Sequence, residues 1–290
     1  MYGTLIIAYL FLGGTAGGAF LVVALWSLAF HRAGLVRADW LRVAFRNLRR
    51  VMYPLATAIL AVAMVCLLWD LEHPERALLI FLMPRPTVLT FGAAVLTTQL
   101  ALGVLLSLAN LFRLPWFSGT VRRALEVACC VTAPLVMGYT GVFLYSNVGV
   151  PLWHTLTLVG LFFCSALSSG LSTVLLSNYF IQSQTYLLRA VRPLQKCHLV
   201  CLAAELILMG AYVAWAAATP TTGTALAQLA SPDVLPAALI GAVGFGVVLP
   251  ATLESYALLR KEQRTIPVSD FVCLIGALCL RWTVIVCGVH

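Results

Sequence analysis

The chain alternates eight long apolar stretches with short polar connections. The stretches fall at roughly 4–30, 51–69, 88–112, 124–146, 153–176, 198–218, 235–258 and 269–289, each near the ~20 residues that an α-helix needs to cross ~30 Å of hydrocarbon. Backbone polar groups in hydrocarbon must be satisfied within the segment, so apolar runs of this length are helices. The pattern predicts an all-α integral membrane protein with eight transmembrane helices.

The basic residues give these helices a direction. Of eighteen Lys and Arg, fifteen lie in four segments: Arg32, Arg37, Arg42, Arg46, Arg49 and Arg50; Arg113, Arg122 and Arg123; Arg189, Arg192 and Lys196; and Arg260, Lys261 and Arg264. Those segments occupy alternate connections. Arg76 and Arg85 are the only basic residues in the other connections, and Arg281 lies within the last apolar stretch. Short loops rich in Lys and Arg stay cytoplasmic during insertion, so both termini are expected outside the cytoplasm, in the cytoplasmic membrane of a prokaryote. Met1 to Gly3 shows no basic n-region or cleavage site, and the first span is expected to be retained.

Composition agrees, with 62% hydrophobic and 10% charged residues and a mean hydropathy of +0.99, where a soluble domain carries about 25% charge. The net charge of +8 is accounted for by the loop bias, so membrane lipid is the expected polyanionic partner and nucleic acid is not. The stretch 31–50, with Trp40 and Phe45, reads as an amphipathic segment along the anionic inner surface.

No connection is long enough to hold a catalytic domain, so the chain works inside the membrane or through a partner. Eight of nine cysteines fall in apolar stretches without the clustering of iron–sulfur ligands. The Cys197, His198, Cys201 group reads as small side chains at the start of span six, and no metal site is expected. His31, His73, His154, His198 and His290 all read as lying in loops or at span ends, which leaves no axial pair for a haem.

Ionisable groups inside spans are costly and are functional candidates by default. Glu126 and Glu254 lie near the inner ends of spans four and seven, within reach of headgroups or basic loops. Glu205 and Arg281 are deeper and opposite in sign, which suits either a buried ion pair or a proton path. Near the opposite surface, Tyr9, Asp70, Glu72, His73, Tyr139 and Tyr145 fall at one level. The GGTAGG run at Gly13 to Gly18 and the SALSSG run at Ser165 to Gly170 offer small faces for close helix approach.

Several of these motifs, in order, resemble the NrfD/PsrC family of membrane anchors: YLFLGGTAGG at Tyr9 to Gly18, DLEHP at Asp70 to Pro74, GYTGVFL at Gly138 to Leu144, PLW at Pro151 to Trp153, SSG at Ser168 to Gly170, and Leu280–Arg281. The resemblance implies a quinone-binding four-helix bundle over 1–146 and a second four-helix bundle over 147–290. It implies menaquinone or ubiquinone as bound substrate, with no haem and no iron–sulfur cluster in this chain. The implied partners are a four-cluster ferredoxin-like iron–sulfur subunit and a molybdopterin catalytic subunit or multihaem cytochrome. Carried over by position, Tyr139 matches a tyrosine that contacts the quinone ring, Tyr9 stands where the polysulfide reductase type has a histidine, and Glu72 matches an acidic residue beside the site. Ile6 stands where that subgroup has asparagine, and Val88, Leu89 and Phe91 replace a Ser-Pro and Trp pattern.

Quinol oxidation releases two electrons and two protons, so a site needs hydrogen-bond partners at both ring oxygens and a proton acceptor. The expected quinone-binding set is Tyr9, Gly13, Asp70, Glu72, His73 and Tyr139, with Glu72 and His73 as proton acceptors and electrons passing to a partner at the outer face. Glu126, Glu205 and Arg281 form the candidate proton path or ion pair. The alternatives are a secondary transporter or channel lined by Glu205 and Arg281, and a structural anchor without quinone reactivity.

Overall fold

The computed structural model describes residues 3–32, 39–70, 87–112, 118–147, 149–181, 188–260 and 267–289. Within them eight helices are long and apolar enough to cross a membrane, and no strand occurs. They are α1 (Thr4–Arg32), α2 (Asp39–Asp70), α3 (Val88–Leu111), α4 (Gly119–Tyr145), α5 (Leu156–Ile181), α6 (Leu188–Ala218), α7 (Ala237–Val248 continued by Leu249–Leu259) and α8 (Pro267–Val289). The fold is that of an all-α integral membrane protein. A short helix, Gly223–Leu229, lies in the α6–α7 connection.

Local sequence sets the helix starts. Thr87 and Ser118 accept from the backbone N–H groups of Thr90 and Val121, at 3.2 and 3.3 Å, so two otherwise orphaned donors are capped. Pro54, Pro134 and Pro193 sit inside α2, α4 and α6, where each removes one backbone donor. The first part of α7, with three glycines in AALIGAVGFGVV, winds as a wide π-helix before returning to α-helix at Leu249.

The helices α1 and α5 form the centre. In them 83% and 72% of the apolar window is buried, against 28% for α2, α3 and α6. Their composition explains why: a Cβ on Gly18 would come within 2.1 Å of the Ala166 carbonyl oxygen, and one on Gly170 within 2.3 Å of the Gly18 carbonyl carbon. The two backbones therefore meet directly, and Thr15 Oγ1 donates to Ser169 Oγ across the crossing at 3.0 Å. Gly246 and Gly276 give α7 and α8 a similar approach. Because α1 packs against α2, α4, α5 and α8, it joins the first half of the chain to the second.

Two expectations from the sequence need correction. Residues 39–50 are not a separate surface segment but the opening turns of α2, with Phe45, Leu48 and Arg49 buried. Likewise α6 begins at Leu188, ten residues before the expected edge, so His198 lies well inside the helix and is completely buried. In both cases the helix runs on through basic residues whose flexible stems can carry their charge away from the apolar region.

Candidate functional site

At the end of the molecule opposite the arginine-rich connections, α1 and α4 bring two tyrosines together. Tyr9 is 0% and Tyr139 2% exposed, and their phenols face one another. The Tyr9 hydroxyl meets only the Tyr139 phenol and forms no hydrogen bond of good geometry with it, a costly arrangement for a buried polar group. The Tyr139 ring fills the space left by Gly92 on α3, where a Cβ would come within 1.8 Å of Tyr139 Cζ. Phe143 packs beside that ring, with centroids 6.0 Å apart. Gly13, one turn along α1, lies under the Tyr9 ring at ordinary contact distance. Asp70, at the end of α2, sits beside Gly3 at the same end of the bundle. Glu72 and His73 lie outside the described residues.

A second cluster lies at the arginine-rich end of the first half. Glu126 Oε1 accepts from Ser27 Oγ at 2.9 Å and Tyr53 Oη at 3.4 Å, and pairs with Arg49 Nη1 at 3.5 Å. Arg49 Nη1 also donates to Ser27 Oγ at 3.0 Å. Glu126 is fully buried rather than turned toward headgroups; its partner is an arginine from the neighbouring basic segment. The network joins α1, α2 and α4.

Arg281 is fully buried where the two halves meet. Its Nε donates to the Leu10 carbonyl at 3.1 Å, and its Nη1 donates to Ser165 Oγ at 3.1 Å and to the Ala277 carbonyl at 2.8 Å. The rings of Phe162 and Phe11 flank the guanidinium, 5.5 and 5.9 Å from their centroids. No ion pair joins it to Glu205 within 4.0 Å among the described residues. Instead Ser165 and Ser168 lie against the Glu205 carboxylate, with Arg281 near enough to interact with it. Ser165 thus stands between the two charges, and the expected pair is mediated by a hydroxyl.

The cluster that sequence reasoning missed is in the second half. His198 Nδ1 and Glu254 Oε1 are 2.6 Å apart, and Nε2 lies 3.1 and 3.2 Å from the hydroxyls of Ser168 and Ser172. Asp270, from the first turn of α8, completes a group in which one ligand-type atom of each residue lies within 4.8 Å of the others. All three are buried. Glu254 therefore faces a histidine rather than headgroups, and Asp270, read along the chain, is an ordinary acid at a helix N-terminus. Only the spacing of Glu254 and Asp270 on opposite sides of a basic connection hinted at their meeting.

An apolar cavity of about 560 Å³ opens between α6, α7, α8 and the short helix, lined by Leu206, Met209, Val213, Leu239 and Val284 among others. Its polar surface is too small to orient a ring with two carbonyls, so the tyrosine pair remains the candidate ring-binding site.

A family model described as polysulphide reductase, NrfD, matches residues 1–290, the whole chain. The chain belongs to this family. The NrfD family supplies membrane anchors of respiratory oxidoreductases, which associate with iron–sulfur and catalytic subunits, so a role in a membrane redox complex follows. No curated protein matches the chain. Within an NrfD chain the buried, converging tyrosines acquire a chemical reading, because a phenol without a well-formed hydrogen bond is a donor for a carbonyl.

Proposed function

We propose that this chain is the quinone-reactive subunit of its complex, oxidising menaquinol or ubiquinol, or reducing the quinone, between Tyr9 and Tyr139. The observation that carries the reading is the Tyr9 hydroxyl, buried against the Tyr139 phenol without a well-formed hydrogen bond, at the end of the bundle where Asp70 emerges. A phenol in that position gains by donating to a ring oxygen, and Tyr139 supplies a second donor beside it. Gly92 and Gly13 keep the Tyr139 and Tyr9 rings in place without competing side chains. Glu72 and His73 lie two and three residues after Asp70 in the sequence and accept the protons released at the ring.

Electrons then pass to an iron–sulfur partner docked over this end, on the outer face of a prokaryotic cytoplasmic membrane, a reading that the basic residues at the opposite end support. The partner's catalytic subunit sets the terminal substrate. The test is steady-state quinol oxidation by the assembled complex. Tyr139→Phe and Glu72→Gln are expected to assemble and to lose roughly 10²-fold or more in rate. Near-wild-type turnover in both variants would place the quinone site elsewhere.

A further inference from the structure

The second half of the chain contains a line of buried polar side chains that the quinone reading does not use. It begins one turn into α8 at the arginine-rich end and runs along Asp270, Glu254, His198, Ser168 and Glu205, with Ser165 and Arg281 beyond. His198 is within hydrogen-bonding distance of Glu254 and of Ser168, Ser168 also faces the Glu205 carboxylate, and Asp270 and Glu254 line a small cavity with Gln195 and Ser269. That cavity has about 10 Å³ of water-sized space, which is room for about one water molecule.

Charge counting shows that the line needs an extra cation. Glu254 and Asp270 face a single imidazole, so even a protonated His198 leaves one uncompensated negative charge if both carboxylates are ionised. Glu254 Oε2 and Asp270 Oδ1 have no hydrogen-bond partner among the described residues, and the two side chains are 5% and 2% exposed. A lone ionised carboxylate in hydrocarbon is strongly disfavoured. A proton on one carboxylate removes that charge and turns an orphaned acceptor into a donor. A metal ion fits less well, because ligands held at about 2.0–2.1 Å in a tetrahedral site sit about 3.3 Å apart. The 2.6 Å between His198 Nδ1 and Glu254 Oε1 is instead the distance of a charge-assisted hydrogen bond.

We propose that Asp270, Glu254, His198, Ser168 and Glu205 form a proton relay that connects the arginine-rich end of the second bundle with Glu205, halfway along the spans. Asp270 and Glu254 exchange protons with the aqueous phase through the cavity water. Glu254 hands a proton to His198 Nδ1, and His198 Nε2–H gives one to the Ser168 hydroxyl as that hydroxyl releases its own to Glu205. Every group that gains a proton passes one on, Glu254 regains its proton from the cavity water, and the line is restored by rotation of the Ser168 hydroxyl and a flip of the neutral His198 ring that turns its remaining N–H back toward Ser168. The other titratable or charged groups that neighbouring helices and the relay's own helices turn toward this line are Cys164, Cys197, Cys201, Cys273 and Arg281. Of these only Arg281 carries a fixed charge. Through Ser165 it stabilises ionised Glu205 and so keeps the relay's last member able to lose a proton again. This inference stands independently of the tyrosine site.

The test is infrared spectroscopy of the purified chain in lipid nanodiscs after rapid transfer into deuterated buffer. The carbonyl stretch of protonated Glu205, identified by its loss in Glu205→Gln, is followed as it exchanges. Glu254→Gln and Ser168→Ala are each expected to slow exchange at Glu205 by roughly 10²-fold, while Ser172→Ala leaves it unchanged. Ser168→Ala removes a single hydroxyl and keeps the test open if the charged-site variants fold poorly. Exchange at the wild-type rate in Ser168→Ala, the lack of any band lost in Glu205→Gln, or one equivalent of tightly held metal that disappears in Asp270→Asn would each overturn the relay.

Discussion

The guanidinium of Arg281 on the last helix donates to the carbonyl of Leu10 on the first, 3.1 Å away, one residue from Tyr9. That bond clasps the second half of the chain to the helix that bears the candidate quinone ligand. It is possible because Gly14 lacks a side chain: a Cβ there would sit 2.9 Å from Arg281 Nη2.

Loss of this residue has a specific consequence for Glu205. Removing one member of a buried charge network typically costs ~3–5 kcal/mol, because the other charge is left without compensation. Arg281→Met is expected to lower the unfolding free energy in detergent by about that amount, and Arg281→Met with Glu205→Gln to recover part of it. Ser165→Ala is expected to weaken the coupling between the two, measured as a double-mutant cycle. Strictly additive losses would mean that the hydroxyl does not connect them.

Gly92 offers a way to disturb the tyrosine site without touching a polar group. A Cβ at Gly92 would overlap Tyr139 Cζ and Oη, at 1.8 and 2.3 Å, whereas one at Gly138 meets nothing within 4 Å. Gly92→Ala therefore displaces the phenol, and a misplacement near 1 Å costs about 10²-fold in rate. Quinol oxidation by the complex is expected to fall accordingly in Gly92→Ala and to stay at wild-type level in Gly138→Ala. Equal rates in the two variants would dissociate Tyr139 from turnover.

Much of this architecture was legible in the sequence, and the reason is the solvent. Hydrocarbon forces each span to announce itself by length and apolarity, and the glycine runs at Gly13 to Gly18 and Ser165 to Gly170 mark the crossing of α1 and α5. What the sequence hid was which polar groups meet. His198 looked like a residue at a helix edge because the preceding turn carries Arg192 and Lys196, yet α6 extends through them. Asp270 carries no motif that marks it in the sequence. Their convergence with Glu254 depends on how α6, α7 and α8 pack, which no single-helix periodicity encodes. Tyr9 and Tyr139 were singled out by their shared level near one surface, and the motif order added the reading of them as quinone ligands.

The Glu126 network makes a separate prediction about the first half. Glu126 Oε1 is shared by Arg49, Ser27 and Tyr53, while Oε2 and Arg49 Nε have no hydrogen-bond partner among the described residues. Such a partly satisfied cluster holds helices in register but contributes modest net stability. Glu126→Gln is expected to destabilise the solubilised protein by ~3 kcal/mol by stranding Arg49. Arg49→Met with Glu126→Leu, which removes both charges, is expected to lose much less. A thermal unfolding series reads both, and a double variant as unstable as the sum of the singles would assign Arg49 and Glu126 to separate partners.

Orientation in the membrane decides where a partner docks. Fifteen of eighteen basic residues lie in alternate connections and the adjoining helix ends, and the tyrosine pair lies at the opposite end. The bias of short basic loops toward the cytoplasm predicts that the Tyr9 and Tyr139 end faces outward. Reporter fusions or thiol labelling at introduced cysteines are expected to find 33–38 and 261–266 in the cytoplasm, and 71–86 and 219–234 outside. If 71–86 were cytoplasmic, the iron–sulfur partner would have to meet the tyrosine end from the inner side. Protons released at the ring would then enter the cytoplasm, while the proposed relay through Asp270 would open to the outside.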